Sequence, residues 1–238
     1  MLVRLYIKSG LEKVGQVLRF EEKQSHYLAN VLRMRIGDVL YVFDGNSGEY
    51  AAKITEINKH GVSAVLLEKT YEMQVSPDVW LLFAPLKKDK TDMVIQKATE
   101  LGVTQIIPVQ TTYTNAEKVR TERFEMQAIE AAEQCRRLDV PKIADCLSLN
   151  KILENWNPER TLFFLDERGG GQKIYEAMAN SNKAAVLVGP EGGFSKEEAE
   201  KLRSLSFVKS VSLGKRILRA ETAAIAALAC WQAISGDW

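Results

Sequence analysis

At 238 residues the chain has room for one large domain or two modest ones. Apolar residues make up 46% and charged residues 26%, the balance of an ordinary globular protein. The 32 Lys plus Arg against 31 Asp plus Glu leave a net charge of only +1. Bulk charge therefore excludes a strongly basic nucleic-acid binder, and any such affinity must come from local patches. Met1 to Tyr6 has neither an uninterrupted apolar run nor a small-residue cleavage site, so it does not read as a signal peptide. The longest apolar stretch, Ala223 to Ile234, is interrupted by Gln232 and too short to span a bilayer, so a cytoplasmic protein without membrane contact is expected. Cys135, Cys146 and Cys230 are isolated, odd in number and lack CxxC spacing. Neither disulfides nor a metal site are expected from them, only small buried or half-buried thiols.

Residues 1 to about 70 are β-rich. Val39 to Phe43 is a β-branched and aromatic run, Asp44-Gly45-Asn46-Ser47-Gly48 a turn, and Tyr50 to Ile54 the returning strand of a hairpin. Asn58-Lys59-His60-Gly61 turns the chain again into Val62 to Leu67, with His60 simply occupying the turn. One helix is expected from about Ser25 to Arg33, ending near Gly37, and His26 on it reads as structural rather than RNA-facing. Short strands, tight turns and one helix point to a small barrel over residues 1–72. Glu72, Gln74, Ser76 and Pro77 then read as a linker.

The rhythm changes over 73–238. Val79 to Phe83 reads as a buried strand and Pro85 to Lys90 as a basic loop. Thr91 is expected to cap a helix whose apolar face is Val94, Ile95, Ala98 and Leu101, stopped by Gly102. Val103 to Val109 is the next strand, followed by a helix from about Thr121 to Arg137. Thr161 to Leu165 and Ala184 to Val188 are continuous apolar runs, as central strands of a parallel sheet covered on both faces require. Alternating strands and helices define an α/β domain.

Three segments of this half set glycine or polar residues after a strand, where open α/β sheets bind ligands. They are Leu165 to Gly171, Gly189-Pro190-Glu191-Gly192-Gly193-Phe194-Ser195, and Ser212 to Thr222. Ser195 with Glu198 has the spacing of a capping box. Gly214-Lys215 lacks the earlier glycine and following Ser/Thr of a P-loop, and no GxGxxG is present. The residues alone reach a cofactor-sized pocket of backbone amides and carbonyls, and no further.

The GPEGGFS string at 189–195, with Leu213-Gly214-Lys215-Arg216-Ile217-Leu218-Arg219-Ala220-Glu221-Thr222-Ala223 downstream, resembles the ribosomal RNA small subunit methyltransferase E family of SPOUT enzymes. Lys97 to Val103, Ala131 to Arg137 and Val31 to Asp38 are similar to the same family, so the resemblance runs nearly the whole chain in order. One departure is Cys135, where the family pattern has serine; both are small.

The resemblance implies an α/β fold with a parallel sheet. Its C-terminal SPOUT domain would be tied in a deep trefoil knot and preceded by a PUA-like β-barrel that binds RNA. It further implies a homodimer that uses S-adenosylmethionine to methylate N3 of a uridine in 16S rRNA, position 1498, within the small ribosomal subunit. Leu165, Gly189, Pro190, Glu191, Gly192, Leu213, Gly214, Ile217, Leu218 and Thr222 would hold the cofactor. N3 is a poor nucleophile until its proton leaves and charge spreads to O2 and O4, so a base and a cationic donor would both help. Arg219 is assigned to charge stabilisation, and Glu221 to proton acceptance or to orienting Arg219; the bland alternative is an Arg–Glu pair that holds the knot together.

RNA contact is expected from Arg4, Arg33 and Arg35, from Lys87, Lys88 and Lys90, and from Arg136 and Arg137. Ile225, Leu228, Ala229 and Trp231 exceed one helix face, which suits packing across a dimer axis. Two rivals stay open: a SPOUT enzyme acting at another RNA position or on ribose 2′-OH, and a non-catalytic RNA-binding assembly factor.

Overall fold

The computed structural model describes residues 3–115, 119–168 and 171–238, apart from the side chain of Lys88. The expected Gly169 and Gly170 of the first loop lie outside the described residues. The chain divides into two compact units, residues 1–75 with 132–139, and residues 76–131 with 140–238.

The first unit runs β1 (Arg4–Tyr6), β2 (Val17–Arg19), α1 (Glu22–His26), a π-helical turn (Tyr27–Val31), β3 (Val39–Phe43), β4 (Glu49–Asn58) and β5 (Gly61–Tyr71). These form a five-stranded sheet in the order β1-β3-β4-β5-β2, with β1 parallel to β3 and the remaining pairs antiparallel. The helix starts three residues earlier than expected because Glu21 and Gln24 form a reciprocal capping box. The long strands bend through irregularities at Glu49/Tyr50, Ala51/Ala52 and Ile54/Glu56, which lets them curl over a core of Leu5, Leu28, Leu40, Val42, Ile54 and Leu66. Asp44 closes the β3–β4 turn, as its sequence cluster predicts, accepting from the amides of Leu11, Asn46 and Ser47 and from Ser47 Oγ.

In the second unit β6 (Val79–Phe83), α2 (Lys88–Glu100), β7 (Gln105–Gln110), α3 (Thr121–Cys135, its residues from 132 on belonging to the first unit), β8 (Lys142–Ile143), β9 (Leu147–Ser148) and α4 (Leu149–Glu154) come first. They are followed by β10 (Thr161–Leu165), β11 (Gln172–Lys173), α5 (Ile174–Ala177), β12 (Ala184–Val188), α6 (Lys196–Ser204), β13 (Val208–Ser212) and α7 (Ala220–Ser235). The sheet has the order β11-β13-β10-β12-β6-β7-β8, with β9 also on β7, and every pairing in it is parallel. Alternate residues of the central strands enter two separate cores. Leu81, Phe83, Phe163 and Val186 face one, and Leu82, Leu162, Phe164 and Leu187 face the other. That is why these strands read as unbroken apolar runs.

Three expectations need correction. Thr91 does not cap α2; Lys87 holds that position, and the buried Thr91 hydroxyl instead exchanges hydrogen bonds with the Leu86 backbone, pinning the preceding loop. Leu228 and Trp231 are fully buried inside this chain, because α7 packs against α2, α5 and β12; only Ile225 and Ala229 of the expected dimer residues stay half-buried. Cys135 is exposed, whereas Cys146 and Cys230 are half-buried and burial pushes both thiols up, away from reactivity. No described helix is long and apolar enough to cross a membrane.

Candidate active site

A cavity of about 790 Å³ opens at the carboxyl ends of β10, β12 and β13, and its walls come from the loop that follows each strand. This is the edge at which parallel sheets present backbone groups to ligands. The β10 loop is fixed by Asp166, which is buried, accepts from Arg203 Nη2 at 2.6 Å and Nε at 2.8 Å, and accepts from the Arg168 amide at 3.2 Å. Arg168 in turn donates to Phe194 O at 2.9 Å.

The β12 loop is a tight turn, with the Gly193 amide donating to Pro190 O at 2.9 Å. Gly193 has φ +69, and a Cβ there would fall 1.8 Å from Glu167 Oε1, so glycine serves both conformation and space. At Gly189 a Cβ would come within 2.7 Å of the Phe194 ring, itself set edge-on to Phe164 at 5.0 Å. The capping box of Ser195 and Glu198 then launches α6 as the sequence predicts. Glu191 meets Lys90 at 3.2 Å. Burial alone would raise the Glu191 carboxyl, but the hydrogen bond to its own amide and the nearby Lys90 and Lys87 hold it below the ordinary range.

In the third loop the Gly214 amide donates to Ser212 Oγ at 3.2 Å, and Lys215, Arg216 and Ile217 are exposed. Arg219 caps α7, is exposed and lines the cavity. Glu221, in the first turn of α7, is not part of the wall; its Oε2 is buried without a hydrogen-bond partner. No ion pair joins Arg219 to Glu221 among the described residues, so the bland Arg–Glu alternative has no support in the geometry.

The cavity gathers Leu165, Gly189, Pro190, Glu191, Leu213, Gly214, Ile217 and Leu218. It does not include Gly192, whose Cβ would point to Tyr113 at 3.2 Å, nor Thr222, which is exposed elsewhere on the first turn of α7. Among the basic candidates, Arg33, Arg35, Lys87 and Arg136 are exposed, Lys90 lines the cavity, and the Lys88 side chain lies outside the described residues.

Arg4 and Arg137 are corrections. Arg4 is 6% exposed, with Nε on Glu49 at 2.6 Å, its remaining nitrogens on the carbonyls of Ala132, Glu133 and Arg137, and its guanidinium 4.7 Å from the centre of the Phe43 ring. Arg137 is forked onto Asp139 at 2.6 and 2.9 Å with little side chain exposed. Both guanidiniums are consumed by internal partners and carry no free face for RNA. The Asp166–Arg203 and Arg168–Phe194 connections escaped sequence reasoning, because 37 and 26 residues separate the partners and no periodicity links them. Asp166 directly after an apolar strand was the one available signal.

The RNA methyltransferase domain family matches residues 74–232, and the RNA methyltransferase PUA domain family matches residues 20–67. Fold and site together define a PUA-bearing RNA methyltransferase of the SPOUT class. A Rickettsia conorii protein named ribosomal RNA small subunit methyltransferase E is 36% identical over 95% of this chain and 93% of its own. A crystal structure of ribosomal RNA small subunit methyltransferase E from Neisseria gonorrhoeae bound to S-adenosyl methionine is 31% identical with TM-score 0.90, covering 100% of both chains. A putative methyltransferase from Legionella pneumophila, in complex with the same cofactor, is 29% identical with TM-score 0.90 over 100% of both chains. The chain belongs to the ribosomal RNA small subunit methyltransferase E family.

Proposed function

We propose that this protein methylates N3 of a uridine in 16S rRNA, position 1498, with S-adenosylmethionine as donor. The observation that carries the reading is the convergence of three loops, with Arg219 among them, on one cavity of about 790 Å³. That volume lies in the range of small-molecule sites, roughly 300–1,000 Å³. The wall also suits the donor: Leu165, Leu213 and Leu218 supply apolar surface, Gly189 and Pro190 bring main chain to the wall, and Gly214 has no atom within 4 Å of where a Cβ would stand. When bound, the donor supplies an electrophilic methyl group on a sulfonium centre.

The chain's own residues prepare the acceptor. Arg219 stands at the cavity with no carboxylate partner among the described residues, free to donate to a uracil carbonyl oxygen as N3 loses its proton. Glu221 is the candidate to take that proton or to orient Arg219: its Oε2 has no hydrogen-bond partner, but it lies buried behind the wall, so proton transfer requires its side chain to turn into the cavity. Arg168 and Asp166 hold the loops so that the reacting atoms meet in line rather than by chance.

The same reading includes a trefoil knot, supported by the adjacency of the three loops on neighbouring strands β13, β10 and β12. It includes a homodimer, supported by the half-buried apolar residues Ile225, Ala226 and Ala229 that α7 retains. It includes residence in the cytoplasm, where the rRNA is. Arg33, Arg35, Lys87, Lys90 and Arg136 are its candidates for phosphate contact.

The test is nucleoside mass spectrometry of 16S rRNA from cells lacking the protein, with single-turnover methylation of small-subunit particles by the purified enzyme. Loss and restoration of N3-methyluridine is expected; a methyl on ribose or at another base would replace this reading. Arg219→Ala should cut turnover about a hundredfold with cofactor affinity intact. Glu221→Gln should slow turnover less as pH rises and hydroxide competes for the proton.

A further inference from the structure

The charges around the cavity are unevenly answered. Lys90 is paired with Glu191, and Asp166 with Arg203. Four arginines elsewhere, Arg4, Arg123, Arg137 and Arg160, each meet a carboxylate. Lys215 and Arg216 are exposed, border the cavity, and have no ion pair among the described residues. Ile217 beside them is 83% exposed although it borders the same cavity. Gly214, at φ +110 with no atom within 4 Å of a Cβ, starts the bend that carries the three side chains outward. Two cations without a carboxylate partner, followed by an aliphatic side chain open to solvent, place positive charge and apolar surface side by side at a cavity mouth, the two features that a nucleotide's phosphate and base face would meet.

We propose that Lys215, Arg216 and Ile217 form an RNA-docking loop, in which the two cations grip phosphates of single-stranded RNA and Ile217 packs against the unstacked base. The inference rests on the reading of this cavity as the methyl-transfer site. A base inside a helix cannot present its N3 edge to a methyl donor, so it must leave its stack. An extruded base loses its neighbours, and an apolar side chain at the cavity mouth supplies a replacement surface. Phosphates on either side of the extruded nucleotide fall near the mouth as well, where Lys215 and Arg216 stand. The loop thereby positions substrate, while Arg219, two residues beyond Ile217, is left to act on the uracil itself.

The probe is a short labelled single-stranded RNA containing one uridine flanked by 2-aminopurine, with the full-length protein. Affinity for a single strand falls with log salt by about 0.7 per neutralised phosphate, so Lys215→Ala/Arg216→Ala should weaken binding and flatten the slope by about 1.4. Calorimetric affinity for S-adenosylmethionine should stay unchanged, and the charge-preserving Lys215→Arg/Arg216→Lys variant should keep the wild-type slope. Ile217→Ser should leave the slope alone but lower the 2-aminopurine fluorescence that reports unstacking. An unchanged slope in the alanine double variant overturns the phosphate grip. So does loss of cofactor affinity with RNA binding intact, which would assign the segment to the cofactor wall alone. Unchanged fluorescence in Ile217→Ser overturns the base contact. None of these readouts involves methyl transfer, so they stand or fall separately from the identity of the methylated atom.

Discussion

Arg168 donates through Nη2 to Phe194 O at 2.9 Å, and this single bond ties the loop after β10 to the loop after β12 across the base of the cavity. Both residues border the cavity, so the bond sets the distance between two of its walls. Arg168→Ala should weaken S-adenosylmethionine binding about tenfold, the equivalent of one charge-assisted hydrogen bond, with little change in melting temperature. Calorimetry beside a thermal melt separates the two effects; undiminished affinity would mean the loops hold their places without it.

The glycines of the β12 loop should not respond alike. Alanine at Gly189 drives a methyl into the Phe194 ring, which is buried and already set against Phe164, so overpacking of about 1–3 kcal/mol and loss of cofactor affinity are expected. Alanine at Gly192 meets only the Tyr113 side chain at 3.2 Å, and Tyr113 is 48% exposed and free to give way. Gly192→Ala should therefore bind cofactor nearly as the wild type does. Equal losses in the two variants would count against this account of the loop.

Arg4 is a structural cation rather than an RNA contact. Its removal leaves Glu49, 3% exposed, with a buried charge that Thr70 Oγ1 alone cannot satisfy. Arg4→Ala should destabilise the protein by about 3–5 kcal/mol in chemical denaturation, the usual result of breaking a buried pair on one side. RNA affinity per folded molecule should not change. A stable variant with weakened RNA binding would restore Arg4 to the interface.

Asp44 is expected to make the first unit sensitive to acid. Burial pushes its carboxyl up, but the amides of Ser47, Asn46 and Leu11 and the Ser47 hydroxyl together outweigh that and hold it below the ordinary range. A depressed folded value stabilises fully above the unfolded pKa of about 3.9, and that stability is lost as pH falls through the folded value. Asp44→Asn should thus flatten the stability profile below about pH 4, and Asp44→Ala should cost roughly 3 kcal/mol at neutral pH. Urea titrations at several pH values measure both; a variant with the wild-type acid slope would show that other carboxylates dominate.

Much of the molecule is legible in its residues. β6, β10 and β12 begin and end where their runs do, because a strand covered on both faces admits almost no polar residue until it leaves the sheet; β3, open on one side at Val39, ends instead at the Asp44 turn. The capping box at Ser195 is local, and so is most of the turn at Asp44: Asn46 and Ser47 lie within three residues, and only the Leu11 amide comes from farther along the chain. The family resemblance located the three loops, and eight of the ten expected cofactor residues do meet at one cavity. Tertiary structure decided the rest. β1, β2, β8, β9 and β11 are two or three residues long, too short to carry a period, and exist only because a neighbour offers them hydrogen bonds. Gly192 stands inside the expected motif yet faces Tyr113, a direction set by the turn from Pro190 to Gly193 rather than by spacing. Arg4 looks like any surface arginine until folding brings it Glu49 from 45 residues away and the Ala132 carbonyl from 128. Local preference is written in adjacent residues; the partners that bury a charge or wall a cavity are chosen by the path of the whole chain.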